Sequence, residues 1–265
     1  MKFHVLGPLE IHTENGTVPL RPKWRDLLAV LLCDPGRAVP IDCLIDALWP
    51  CAPPRTAVKT LHGYVHHLRG LLGPDRLESR RPGYAVVVRP GELDADTFAV
   101  HSNAGRKAVA AGMTEQGAAA IKDALALWRG APFDGQDHLE ATRVEAFRLT
   151  ELRLTAAGDW ADAELGLGRP AEVVGELYGI VADHPYHERP LAQLMRALYA
   201  LGRTAEALDV CRKGQRAFTD ELGLDPSPAL RRLEKAILTH DSHTITSACA
   251  ATTAQPCSNH IPQTL

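Results

Sequence analysis

Arg55-Thr-Ala-Val-Lys-Thr-Leu-His-Gly-Tyr-Val-His-His-Leu-Arg-Gly-Leu-Leu72 runs through Gly73-Pro74 into Arg76-Leu-Glu-Ser-Arg-Arg-Pro-Gly-Tyr-Ala-Val-Val-Val88. The first stretch is helix-compatible. The second reads as a β-hairpin with basic residues at its tip. A helix followed by a basic hairpin is how a winged helix-turn-helix grips DNA. The helix fits the major groove, and the hairpin tip reaches the neighbouring backbone or minor groove.

On a helical wheel Val58, Leu61, Val65, Leu68 and Leu72 fall within about 80° and form the expected core face. Opposite lie Thr56, Lys59, Thr60, Gly63, His66, His67 and Gly70, a small, polar and weakly basic face. Mid-helix glycine costs about 1 kcal/mol relative to alanine. Close approach to a DNA backbone would account for Gly63 and Gly70, and so would simple tolerance. Arg80 and Arg81 can present two guanidiniums at the hairpin tip, and arginine's planar, permanently charged fork suits phosphate and narrow minor grooves. The candidate DNA-binding residues are therefore Arg55, Thr56, Lys59, Thr60, Gly63, His66, His67, Arg80 and Arg81.

Outward from this stretch, Lys2 to Leu6, Leu9 to His12 and Thr17 to Leu20 alternate as short strands, punctuated by Gly7-Pro8 and Asn15-Gly16. They read as a small antiparallel sheet. Trp24 to Cys33 is a mostly buried helix, ended by Pro35-Gly36. Ile41 to Trp49 is a second, with Ile41, Leu44, Ile45 and Leu48 on one stripe. Pro50-Cys-Ala-Pro53-Pro54 stops it and makes a stiff loop.

After Pro90-Gly91 the texture becomes helical and rich in alanine and leucine. Leu167-Gly-Arg-Pro-Ala-Glu172 recurs as Leu201-Gly-Arg-Thr-Ala-Glu206, an offset of 34 residues and the tetratricopeptide period. Such pairs stack into a short solenoid. The expected fold is mainly α with a small β part: a winged helix-turn-helix over 1–91, an all-α tetratricopeptide-like domain over 92–240, and a Ser/Thr-rich disordered tail over 241–265.

The charge follows the same division. Residues 1–90 hold twelve Lys and Arg against eight Asp and Glu, a balance of +4, so the rest of this −3 chain carries −7. A basic half beside an acidic half suggests a nucleic-acid binder joined to a module that does not touch nucleic acid. No apolar run is long enough for a membrane span, and Met1-Lys-Phe-His-Val5 lacks a secretory h-region, so a cytoplasmic protein without membrane contact is expected. The six cysteines form no CxxC pair and suit reduced thiols.

Catalytic chemistry finds little footing. No P-loop, G-x-S-x-G elbow or G-x-G-x-x-G fingerprint occurs. His62 and His66 have helical metal-clamp spacing, but no third ligand accompanies them. An imidazole donating to phosphate or a base edge is the better reading. His243, Cys249, Cys257 and His260 match no zinc-finger spacing. No catalytic residue, metal or cofactor is expected. Two function classes stay open on the residues alone. One is a promoter-binding activator. The other is a protein–protein scaffold whose solenoid binds a peptide. Salt-dependent retention on DNA separates them.

Several motifs in one order carry a resemblance. They are Phe3-His-Val-Leu-Gly-Pro-Leu9, Val39-Pro-Ile-Asp-Cys-Leu-Ile-Asp-Ala-Leu-Trp49, Pro54 to Leu72, Arg80-Arg-Pro-Gly-Tyr84, Ala124-Leu-Ala-Leu-Trp-Arg-Gly130, Glu151-Leu-Arg-Leu154, His184-Pro185 and Asp220-Glu-Leu-Gly-Leu-Asp-Pro226. The chain resembles the Streptomyces antibiotic regulatory protein family of pathway-specific transcriptional activators, in its small form without an ATPase module. It departs from the family pattern at His66 and His67. The resemblance implies an OmpR-type winged helix followed by a bacterial transcriptional activation domain. It implies binding to direct repeats near the promoter −35 region, as a homodimer or as two protomers side by side. It also implies recruitment of RNA polymerase holoenzyme to antibiotic biosynthesis genes. By the same resemblance the loop Trp49, Pro50, Cys51, Ala52, Pro53, Pro54 is the expected polymerase-contacting segment.

Overall fold

The computed structural model describes residues 1–14, 16–221 and 223–247. Its contacts divide the chain into two compact units, 1–157 and 158–265. That division lies well beyond the change of texture at residue 91.

In the first unit, β1 (Lys2–His4), β2 (Glu10–Thr13) and β3 (Gly16–Thr17) form an antiparallel sheet in that order, with Phe3 opposite Ile11. Both of those side chains are fully buried, so the alternation of the strands places one face inward. Helix α1 (Pro22–Leu32) opens with proline at its first turn, where a missing N–H costs nothing, and buries Leu27, Leu28 and Leu31. A two-residue strand β4 (Val39–Pro40) precedes α2 (Ile41–Leu48). After an exposed loop comes α3 (Ala57–Leu72), then β5 (Leu77–Arg80) and β6 (Gly83–Val86). The hairpin pairs Arg80 with Gly83 and Leu77 with Val86, and β4 adds to β6 to give a sheet ordered β4-β6-β5.

Leu61, Val65, Leu68 and Leu72 on α3 are buried, as their spacing predicts, but Val58 is 47% exposed and Ala57 is buried instead. On the wheel Ala57 and Val58 sit about 50° to either side of the stripe. Periodicity gives them equal claims, and packing decides for Ala57.

Helices α4 (Asp94–Ala110) and α5 (Thr114–Leu125) cross at paired glycines. A Cβ on Gly105 would lie 2.8 Å from the Gly117 carbonyl oxygen, and one on Gly117 2.6 Å from that of Gly105. The N-terminus of α4 is tied to the first sheet. Asp94 accepts the backbone N–H groups of Val5 (2.9 Å) and Leu6 (3.1 Å). Burial pushes this carboxyl above the usual aspartate range.

Helix α6 (Glu140–Gly166) spans the boundary between the units. The second unit continues with α7 (Pro170–Asp183), α8 (Glu188–Ala200), α9 (Thr204–Arg216), α10 (Pro228–Leu238) and α11 (Ser242–Ser247). The two sequence repeats are two copies of one helix-ending turn. Gly168 (φ 72°) and Gly202 (φ 76°) take the left-handed conformation. The next residue then donates to the carbonyl five positions back, Arg169 to Glu164 and Arg203 to Leu198, both at 2.9 Å. The same closure recurs at Gly112, where Met113 donates to Ala108, and at His240, where Asp241 donates to Ala236. Around these last two copies the flanking residues differ, so no sequence repeat marks them.

The tail expected from 241 is in part ordered. Ser242–Ser247 is helical, Asp241 accepts from the Thr244 N–H at its start, and Ile245 is 4% exposed. The remainder, with Cys249, Cys257 and His260, lies outside the described residues. Among the described residues no helix is long and apolar enough to cross a membrane.

Candidate nucleic-acid interface

The residues predicted to face DNA lie on the outer side of α3 and at the tip of the adjoining hairpin. Arg55, Thr56, Lys59, His66, His67, Arg80 and Arg81 are exposed, and Thr60 and Gly63 are half-buried. Gly63 and Gly70 have nothing within 4 Å of where a Cβ would stand, so no packing among the described residues demands glycine at either.

The two tip arginines differ. Arg80 donates to the Glu78 carboxylate (2.5 Å) and to the Gly36 carbonyl (2.8 Å). The Arg81 side chain has no hydrogen bond or ion pair among the described residues, and neither has that of Lys59. Gly83 has a packing reason. A Cβ there would stand 1.7 Å from the Val39 carbonyl oxygen, so only glycine lets β4 and β6 approach. The Arg81–Pro82 peptide is cis.

Helix and hairpin are fastened by a residue the sequence reading passed over. Arg69 donates from Nε to the Leu77 carbonyl (2.8 Å) and from a terminal nitrogen to Ser79 Oγ (2.9 Å). Its guanidinium also lies 5.9 Å from the Tyr84 ring centroid, and His62 meets that ring edge-on. His62 is therefore turned toward the hairpin. A second aromatic contact lies on the α1 side. The His67 ring stacks on Trp24 with centroids 4.9 Å apart and planes 21° from parallel, and the Arg21 guanidinium lies 5.0 Å from the Trp24 ring. The alternation of cation and aromatic in Arg21-Pro-Lys-Trp-Arg25 was the available signal for it.

In the loop before α3, Pro50, Cys51, Ala52, Pro53 and Pro54 are exposed, while Trp49 is half-buried and stacks on Tyr64 at 6.0 Å. Trp49 thus anchors one end of the loop, and its neighbours form the accessible part. Burial pushes the Cys33 and Cys211 thiols up to about 12, which keeps both protonated and poor nucleophiles. Among the described residues no group of three His, Cys, Asp or Glu side chains is placed to hold a metal ion.

Residues 93–238 match the family described as "Bacterial transcriptional activator domain". The chain is 36% identical over 245 residues to the transcriptional regulatory protein EmbR of Mycobacterium tuberculosis, covering 90% of this chain and 63% of that protein, so it spans under two thirds of that relative's length. It is 35% identical over 254 residues to the regulatory protein DnrI of Streptomyces peucetius, covering 91% of this chain and 93% of DnrI. A solved structure of M. tuberculosis EmbR in complex with a low-affinity phosphopeptide superposes with a TM-score of 0.83 at 34% identity, over 95% of this chain and 70% of that one. Over a matched region of more than half its length, and against a relative it covers almost end to end, the chain belongs to the bacterial transcriptional activator domain family and is of the Streptomyces antibiotic regulatory protein type.

Proposed function

We propose that the chain is a pathway-specific activator that binds promoter DNA through a winged helix-turn-helix within residues 1–91. In this reading α3 is the recognition helix, the β5–β6 hairpin is the wing, and the helices of 92–240 carry the activation function. The observation that carries it is the pairing of two exposed, unneutralised cations on adjoining elements, Lys59 on α3 and Arg81 at the hairpin tip. Cations free to neutralise phosphates are what counterion release requires. The family supports the rest of the reading. Two protomers would occupy direct repeats near the −35 element side by side, recruit RNA polymerase holoenzyme through the loop 49–54, and act in the cytoplasm by binding and not by catalysis.

The test is alanine substitution of Lys59 and of Arg81 with binding measured across salt. Loss of a phosphate contact lowers the salt slope by about one and weakens all sequences alike. Loss of a base contact costs about 1–3 kcal/mol and relaxes preference at one position. Unchanged affinity in both variants overturns the assignment.

A further inference from the structure

We propose that Trp24, on α1 and outside both the helix and the hairpin that meet DNA, is a positioning residue for DNA recognition: its indole holds the His67 imidazole in the orientation that donates to an acceptor on the duplex. The inference rests on the DNA-binding reading above and adds a residue to it.

His67 is exposed on the outer side of α3, where an imidazole on two free torsions would sweep a wide arc. The stack on Trp24, 4.9 Å between centroids and 21° between planes, takes one face of that ring and fixes its plane. An imidazole N–H donates within the ring plane. Stacking therefore restrains the ring without consuming its donor, and a base edge or phosphate oxygen can still approach. Holding the ring before DNA arrives reduces the rotamer freedom lost on binding. Trp24 is itself held, since it is half-buried at the first turn of α1 and the Arg21 guanidinium lies 5.0 Å from its ring. The neighbouring His66 meets His67 only edge-on, at 6.0 Å, and does not supply such a platform.

The measurement uses the full chain and a duplex selected by it from a randomised pool. Trp24→Leu keeps an apolar side chain and removes the aromatic face, whereas Trp24→Phe keeps a face. Trp24→Leu and His67→Ala should each weaken binding about tenfold, and the double variant should bind no more weakly than either single one. Trp24→Phe should stay within about twofold of the wild type. Losses that multiply in the double variant, or wild-type binding by Trp24→Leu, overturn the inference. If Lys59→Ala and Arg81→Ala bind poorly while Trp24→Leu binds normally, only this inference falls. If all three bind normally, the DNA-binding reading falls with it. Proton NMR of the unsubstituted protein gives a second readout. The His67 ring protons should lie upfield in the indole ring current and stay there when the duplex is added. A return to ordinary positions on DNA would show that His67 leaves the indole to bind, contrary to the proposal.

Discussion

Arg76 and Glu92 meet face to face, each terminal guanidinium nitrogen 2.6 Å from one carboxylate oxygen, with side chains only 11% and 13% exposed. Glu92 also accepts the Arg89 N–H. The hydrogen-bonded guanidinium holds the Glu92 carboxyl below the usual glutamate value of 4.5. A carboxyl whose folded value is depressed stabilises the fold fully above its unfolded value and loses that contribution as pH falls through the folded one. Glu92→Gln should therefore lower stability near neutral pH by about 1–3 kcal/mol. Its stability should also fall less steeply than that of the wild type as the solution is acidified below about pH 4.5. Urea midpoints across that range are the measurement, and parallel curves for the two proteins would rule the pair out as an acid-sensitive contact.

The same pair bears on where the proposed DNA-binding part can be cut. A fragment ending at 91 loses Glu92, leaving Arg76 without its carboxylate. It also loses Asp94, which accepts from Val5 and Leu6, and Leu93, which bridges to Phe3. Residues 1–157 are one compact unit. A 1–157 fragment should unfold cooperatively near the first transition of the whole chain, and a 1–91 fragment should unfold at clearly lower denaturant. Equal midpoints would mean that these ties are energetically minor.

Much of the first unit was legible because its signals are local. The hairpin, the stripe on α3 and the proline-bounded loop follow from period and turn chemistry over a few residues, and their bounds lie within two residues of those observed. What escaped depends on distant partners. No periodicity brings Val39 to Tyr84 to make β4, places Trp24 against His67, or decides between Ala57 and Val58. Arg80 and Arg81 are identical in sequence, and only Glu78 and Gly36 distinguish them. The repeat at Gly168 and Gly202 was visible because its flanks also repeat. At Gly112 and His240 only the backbone does.

Glycines on α3 and in the hairpin should respond in opposite ways to alanine. With nothing within 4 Å of their Cβ positions, Gly63→Ala and Gly70→Ala should each stabilise the protein by about 1 kcal/mol through helix propensity. If a DNA backbone approaches Gly63, the same change should weaken binding. Gly83→Ala should destabilise, since its Cβ would overlap the Val39 carbonyl. Thermal melts and gel shifts on the three variants separate the cases. A Gly63→Ala protein that is more stable and binds normally would assign that glycine to tolerance.

Arg80 is engaged and Arg81 is not, so the two should contribute unequally. The Arg80–Glu78 pair is half exposed and worth little by itself, yet it places a negative charge beside the tip. Arg81→Ala should weaken DNA binding more than Arg80→Ala. Glu78→Ala should tighten it and steepen the salt dependence, because it releases Arg80 and removes a repulsion. Titrations at several salt concentrations would show this, and a Glu78→Ala variant no tighter than wild type would mean that Arg80 stays off the duplex.

If the proposed function holds, changes in the loop between α2 and α3 should separate binding from activation. Pro53 and Pro54 are exposed, and the one tie from them to α3 among the described residues, the Pro54 carbonyl accepting the Ala57 N–H (2.8 Å), is a backbone bond that glycine can keep, while Trp49 stacks on Tyr64 in the middle of that helix. Proline limits the shapes an exposed loop can take, so replacing it raises the entropy lost on contact with a partner. Pro53→Gly with Pro54→Gly should leave DNA affinity unchanged and reduce transcription from a dependent promoter. Trp49→Ala should reduce both, because it removes a support of α3 as well as one end of the loop. In vitro transcription alongside gel shifts on the same preparations gives the comparison. If the double-glycine variant loses binding and activation to the same extent, the loop supports the fold and does not touch polymerase.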